Sequence, residues 1–176
     1  MSADGPDQRT LSAAVTEARW AEAEFDGARA WLEEARTGPM EPIAAEVWVF
    51  DKAFQRVLLV RHRWRGWVPP GGKVEPRETP RSAAARELFE ETGVEAELLA
   101  SPAAVSVRAY RADWAPTLTL SYGAVVDHSV PLQAESRQPA AWSLLAQDWA
   151  GFFPEDRLRI RRYAGHLARV RGITAS

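Results

Sequence analysis

Residues Gly72–Val94 read GKVEPRETPRSAAARELFEETGV, and the second half of this stretch decides how the rest of the chain is understood. Pro80–Thr92 has the pattern of one helix, because proline is tolerated in a first turn and Gly93 suits the position just past the last. Residues three and four apart share a helix face, so Glu87, Glu90 and Glu91 project to one side, with Glu87 facing both of the others. Three carboxylates placed there repel one another at neutral pH unless a cation sits among them. A hard divalent cation, Mg²⁺ or Mn²⁺, is the ordinary partner, since it favours carboxylate oxygens and keeps waters for a substrate's phosphates. A lone Glu-Glu pair more often marks a solvated acidic face; the surroundings of this one point the other way.

Outward from that helix, Ile43–Phe50 and Arg56–His62 are apolar, β-branched runs separated by Asp51–Gln55, a strand–turn–strand unit. Val105–Tyr110 and Thr117–Val126 read as two further strands, divided by a turn at Asp113–Pro116. Trp142–Trp149 and Glu155–Val170 read as helices, the second with Leu158, Tyr163, Leu167 and Val170 on one apolar face. Strands, a helix, more strands and closing helices predict an α/β fold with a mixed sheet between helices. Upstream, residues 1–9 are expected to be disordered. Thr10–Arg36 fits a helix or a helix pair, with Asp26-Gly27 as the break and Gly38-Pro39 as the stop. That segment has two readings of equal weight: helices packed on their own domain, or an arm that forms a homodimer.

Composition narrows the function. At 176 residues the chain suits one domain with a substantial core, and its 46% apolar content is ordinary for a globular protein. A net charge of −2 gives no general affinity for polyanions, so nucleic acid is not an expected partner. The absence of cysteine removes disulfides, thiolate metal sites and cysteine nucleophiles together. No apolar run approaches the ~18 residues of a membrane span, so no membrane partner is expected. The start, MSADGPDQRT, has two acids and no following apolar stretch, which argues for the cytoplasm over a secretory route.

The full pattern, G-x5-E-x7-R-E-L-x-E-E-x-G-V, runs from Gly72 through Glu78 and Arg86 to Val94, preceded by Trp67-Val68-Pro69-Pro70-Gly71. It resembles the Nudix box of the Nudix hydrolase superfamily, MutT-like members included. The resemblance implies a Nudix-type α/β/α sandwich with a mixed sheet over residues 41–172, leaving residues 1–40 as an N-terminal helical extension. It implies a divalent-metal-dependent hydrolase of a nucleoside diphosphate linked to another moiety, with a (deoxy)nucleoside triphosphate cleaved to monophosphate and pyrophosphate as the leading case. Dinucleoside polyphosphates and other organic diphosphates are the alternative substrates. A non-catalytic nucleotide-binding module is the alternative of another class, although such modules are expected to lose box carboxylates that this chain keeps.

The same resemblance distributes roles. Glu87, Glu90 and Glu91 are expected to bind metal and to include the base that takes a proton from the attacking water, with the carbonyl of Gly71 as a further ligand. Arg86 is expected to pair with Glu78 and hold the helix carboxylates in place. Arg77 stands where a glycine is often found. Of the acids outside the box, Asp113, Asp127 and Glu135, the last is the choice for a fourth metal ligand. Arg61 and Arg63 are candidates for substrate phosphates, since the guanidinium fork suits phosphate oxygens, and Lys73 joins them. Trp64, Trp67 and Trp114 are loop tryptophans available to stack on a base. Tyr110, 16 positions after Val94, hints at dinucleoside polyphosphates.

Overall fold

A computed structural model describes residues 6–38, 42–133 and 138–173. The chain opens with α1 (Gln8–Trp20), β1 (Ala23–Glu24) and α2 (Ala28–Ala35), followed by β2 (Ala44–Asp51), β3 (Arg56–His62), β4 (Gly66–Val68) and β5 (Gly71–Lys73). Then come α3 (Pro80–Thr92), β6 (Ala104–Arg108), β7 (Thr117–Val126), β8 (Ala140–Leu144) and α4 (Glu155–Val170). The strands form one sheet in the order β1-β6-β7-β2-β3-β4, with β5 paired to β2 and β8 to β3. β1–β6 and β2–β7 are parallel and the other pairings antiparallel, so the sheet is mixed, as expected.

Alternation along the strands builds two cores. Ala45, Val47 and Val49 of β2, with Leu118, Leu120, Tyr122 and Ala124 of β7, face α1, α2 and α3 through Ala14, Val15, Ala18, Leu32, Ala83, Ala84 and Leu88. Trp48 and Phe50, from the intervening positions of β2, join Val57 and Leu59 of β3 against Ile160, Tyr163, Ala164 and Leu167 of α4. This is the α/β/α sandwich: a period of two sends neighbouring residues to opposite faces, and each face finds a helical layer.

The helix that carries the carboxylates has both ends defined locally. The Thr79 hydroxyl accepts from the Ser82 amide at 3.2 Å while the Ser82 hydroxyl accepts from the Thr79 amide at 2.9 Å, a reciprocal cap, and Pro80 opens the first turn. Gly93 ends it with a φ of 72°, its N–H donating to the Phe89 carbonyl at 2.7 Å. A side chain there is strained in that conformation, and a Cβ would also meet Gln133 at 2.7 Å. Leu88, fully buried, pins the helix to the sheet, and the helix sets Glu87 and Glu91 against the backbone of β5.

Three sequence expectations are corrected. Trp142–Trp149 is not a helix: Ala140–Leu144 pairs antiparallel with β3, from Val60↔Ala140 to Arg56↔Leu144. The Ala- and Leu-rich composition favours a helix, but β3 offers unpaired backbone groups along this edge, and tertiary pairing overrides so weak a preference. Within residues 1–9, expected to be disordered, Gln8 and Arg9 already belong to α1, capped by Asp7, whose Oδ1 accepts from the Thr10 amide at 2.9 Å; residues 1–5 lie outside the described ones. The stretch around Asp26-Gly27 holds a strand as well as a break. β1 pairs with β6 through Ala23↔Ala104 and Glu24↔Val105 before Asp26 and Gly27 turn left-handed, so α1 and α2 are both packed against their own domain. No helix among the described residues is long and apolar enough to cross a membrane.

Candidate active site

Arg86 stands at the centre of the acidic face of α3. Its Nε and Nη2 donate to the two oxygens of Glu78 at 2.9 and 3.0 Å, the bidentate fork of a guanidinium on a carboxylate. Its Nη1 donates to Oε1 of Glu87 at 2.7 Å and to Oε2 of Glu90 at 3.2 Å, and Nη2 also reaches the Lys73 carbonyl at 3.2 Å. One cation therefore organises three carboxylates. The bonds to Glu78 and then Glu87 raise the Arg86 pKa against its burial. Burial alone would raise the Glu78 pKa, yet its bonds with Arg86 hold it below the usual carboxylate range. Glu91 faces the glycine pair, and the Gly71 N–H donates to its Oε2 at 2.9 Å.

The glycines matter here by what they lack. Gly71 and Gly72 lie in β5 with no positive φ and pair with Glu46 and Ala45 of β2, so they make no sharp turn. A Cβ on Gly72 would meet the Glu87 carboxylate at 2.5 Å. The strand is bare so that α3 can press its acid against the backbone.

Gly71 and Gly72 also line a cleft, whose other walls include Glu46, Arg65, Arg108, Tyr110, Phe153 and Asp156. Glu46 alternates with the buried Ala45 and Val47, and so shares the α4 side of the sheet with Trp48, whose indole N–H donates to it at 2.8 Å. Arg108 donates to Asp156 at 2.6 Å and lies 4.0 Å from the Phe153 ring centre. Burial, reinforced by the charge of Glu46, pushes the Asp156 carboxyl up to about 6 even though Arg108 pulls it down. Burial disfavours the Arg108 charge, but Asp156 outweighs it and raises the pKa. Tyr110 packs against Phe152 and Phe153 at 5.3 and 5.1 Å, and the exposed Trp64 stands edge-on to both Tyr110 and Phe152. Arg65 stacks within 5.5 Å of Trp64 and 5.3 Å of Tyr110, and its Nε is buried with no partner among the described residues.

Other expected residues fall elsewhere. Arg61 and Arg63 line a separate groove with His62, Gln138 and Pro139, one that shares no wall with the cleft. The arginines on the walls of the cleft are Arg65 and Arg108. Lys73 is exposed at the end of β5 and meets the site through its carbonyl, which accepts from Arg86. Burial, and then Arg65, lower the His62 pKa; its Nδ1 accepts from the amides of Trp64 and Arg65 at 3.4 Å each, a turn-holding duty. Trp67 is half-buried in β4 against the α4-side core, while Trp114 stands edge-on to Trp64. Asp113 pairs with Arg111, and Asp127 is engaged by Ser129 and Lys52. Glu135 lies outside the described residues. Sequence reasoning placed Arg65 in the same basic run as Arg61, His62 and Arg63 but favoured Arg61 and Arg63, and it missed Glu46, Arg108, Phe153 and Asp156. The adjacent aromatics Phe152-Phe153 just before the last helix were a signal the sequence offered.

Among the described residues, no group of three or more acidic or histidine side chains converges as a metal centre does. The donor chemistry nevertheless fits a hard divalent cation: carboxylates and a backbone carbonyl at Gly71, with neither thiolate nor imidazole among them. Arg86 brings positive charge to Glu87 and Glu90.

A NUDIX domain profile matches residues 40–163. YtkD of Bacillus subtilis, provisionally named an 8-oxo-dGTP diphosphatase, is 43% identical over 61 residues, 35% of this chain and 39% of that protein. Diphosphoinositol polyphosphate phosphohydrolase 2 of Rattus norvegicus is 59% identical over 32 residues, 18% of each chain. The matched stretches thus span well under half of either relative. A crystal structure of a C. elegans Ap4A hydrolase binary complex superposes with a TM-score of 0.61 at 23% identity, covering 73% of this chain and 98% of that one, which establishes the fold. With the box residues gathered on α3 against β5 and the profile running through most of the sandwich, the chain belongs to the Nudix family.

Proposed function

We propose that this Nudix protein is a divalent-metal-dependent hydrolase of a nucleoside diphosphate linked to another moiety, and that a (deoxy)nucleoside triphosphate is its leading substrate. One observation carries the reading: Gly71–Gly72 adjoins the acidic face of α3 on one side and the aromatic, arginine-bearing cleft on the other. A diphosphate at this junction has carboxylates and their cation at one end and aromatic faces for a base at the other. The name of the partial relative YtkD supports a nucleoside triphosphate.

In this reading Glu87, Glu90 and Glu91, with the Gly71 carbonyl and Glu135, hold Mg²⁺ or Mn²⁺. The bound ion supplies neutralisation of diphosphate charge and a more acidic water. One α3 carboxylate takes a proton from the attacking water as its oxygen bonds to a chain phosphorus. The anhydride P–O bond breaks and pyrophosphate leaves with that electron pair, giving a nucleoside monophosphate. Arg86, anchored by Glu78, keeps Glu87 and Glu90 oriented for that transfer, a positioning term that dominates phosphoryl chemistry. Arg65 and Arg108 receive the substrate at the cleft, in place of Arg61, Arg63 and Lys73.

Tyr110, on the cleft wall among Phe152 and Phe153, favours a second reading in which the substrate is a dinucleoside polyphosphate. A panel of nucleoside triphosphates, dinucleoside polyphosphates and other organic diphosphates with Mg²⁺, read by phosphate and pyrophosphate release, decides between them. Glu90→Gln and Glu91→Gln should each lower turnover by about 100-fold or more, the scale of losing one preorganised electrostatic group. Equal activity in all three proteins would remove α3 from the chemistry.

A further inference from the structure

Residues 6–38 precede the stretch matched by the NUDIX domain profile, yet they hold the loop that feeds α3. Arg77 in that loop has a φ of 66°, in the left-handed region where glycine is unstrained and a residue with a Cβ is not. Its N–H donates to Oδ2 of Asp7 at 2.7 Å, while Oδ1 of the same carboxylate accepts from the Thr10 amide at 2.9 Å. The Thr10 amide holds the Asp7 carboxyl below its usual range, so it stays an ionised acceptor at neutral pH. The hydroxyl of Thr10, which is fully buried, donates to the Glu78 carbonyl at 2.7 Å. Two consecutive residues of the loop are thus bound through their backbone by the first turn of α1, nearly 70 residues away in sequence.

A second attachment prevents α1 from drifting. Glu17 pairs with Arg81 in the first turn of α3 at 3.1 and 3.2 Å, and Arg81 also caps the Leu99 and Ala100 carbonyls at 2.9 and 2.6 Å. Between the two attachments sits Glu78, whose carboxylate grips Arg86.

We propose that the first turn of α1 is a clamp: Asp7 and Thr10 hold the Arg77–Glu78 backbone so that Glu78 keeps Arg86 among Glu87 and Glu90, which makes both of them positioning residues for the α3 site. Asp7 does for Arg77 what a glycine would do without help, by giving the left-handed peptide a charged acceptor. The activity readout of this clamp rests on the hydrolase reading above; its structural half does not.

The test uses the full chain. Asparagine caps helices as well as aspartate, so Asp7→Asn keeps α1 but replaces the acceptor for the Arg77 N–H with an amide donor. Thr10→Val removes the bond to the Glu78 carbonyl. In metal-free protein, the Arg86 Nε–H resonance should be sharp in wild type and broadened or moved toward free guanidinium in both variants, with faster amide exchange over residues 75–79. With dGTP and Mg²⁺, Asp7→Asn should lose about tenfold in kcat with KM within about twofold, as for other residues that orient metal-site ligands. Adding Arg77→Gly to Asp7→Asn should restore both readouts, because glycine needs no acceptor to hold that φ. An unchanged Arg86 resonance in both single variants, or no recovery in the double variant, would overturn the clamp. If wild type hydrolyses no nucleotide, the hydrolase reading falls while the Arg86 resonance still decides the clamp.

Discussion

On the α3 side of Gly71–Gly72 the polar groups come from one stretch, Glu78 to Glu91, whereas on the other side Glu46, Arg65, Arg108, Tyr110 and Asp156 come from β2, the β3–β4 turn, β6, the loop after it and α4. The first side is a charge cluster satisfied within itself, with Arg86 serving three acids. The second mixes one partly buried ion pair with aromatic faces and a guanidinium nitrogen that has no partner among the described residues. The contrast separates two tasks. A diphosphate presents the same oxygens whatever it carries, so a fixed local pattern suffices for it. The attached group varies, and on the proposed function the residues that would meet it are scattered over loops and helix ends that can change independently.

The junction itself is the place to break that pairing hardest. Gly72→Ala puts a methyl where Glu87 now lies, 2.5 Å from its oxygen. A displacement near 1 Å at a reacting centre costs about 100-fold, so turnover should fall on that scale for every substrate in the panel. Loss confined to one substrate would show that Gly72 belongs to the cleft and not to the chemistry.

A smaller effect sharpens the cleft's side of the comparison. Tyr110→Ala removes a ring that contacts Phe152, Phe153 and Trp64. An aromatic contact contributes about 0.5–1.5 kcal/mol beyond its buried area. KM should therefore rise about two- to tenfold with kcat nearly unchanged, and the rise should differ between nucleotides and diphosphates that lack a base. A uniform fall in kcat across the panel would merge the two sides into one.

The smallest expected effect is on stability. Asp156 begins from an ordinary carboxylate pKa of 3.8 and is pushed to about 6 in the folded chain. Between those values the folded state keeps a proton that the unfolded state has released, so stability falls as pH rises from about 4 to 6. Asp156→Asn removes that titration, and the plot of Tm against pH should be flatter across this window than in wild type. Parallel curves would mean that Asp156 is not the group that holds this proton in the folded chain.

The limits of reading the chain follow the same division. Pro80–Thr92, Thr117–Val126 and Glu155–Val170 are helices and a strand whose ends are written locally, by Pro80 and Gly93 or by unbroken periodicity, and the structure reproduces those bounds. Trp142–Trp149 failed because its conformation depends on the free edge of β3, which no local window contains. Within the basic run before the glycine pair, alternation along the expected strand favours Arg61 and Arg63 over Arg65. The end of β3 and the turn after it set those two on another groove, while the same turn brings Arg65 to the cleft.

By itself the sequence determined the acidic face of α3, the helix that bears it and the kind of cation it suits, because i, i+3 and i, i+4 spacing converts composition directly into geometry. Only the tertiary structure decided what surrounds that face. The parallel pairing of β2 with β7 brings Glu46 and Thr119 to one wall, and α4 folds back to set Asp156 on Arg108. Asp7 and Thr10 reach Arg77 and Glu78 because α1 lies alongside α3. Contacts between residues some 70 positions apart have no periodicity to announce them. They are set by which faces each element must bury, and that is settled only when all the layers close together.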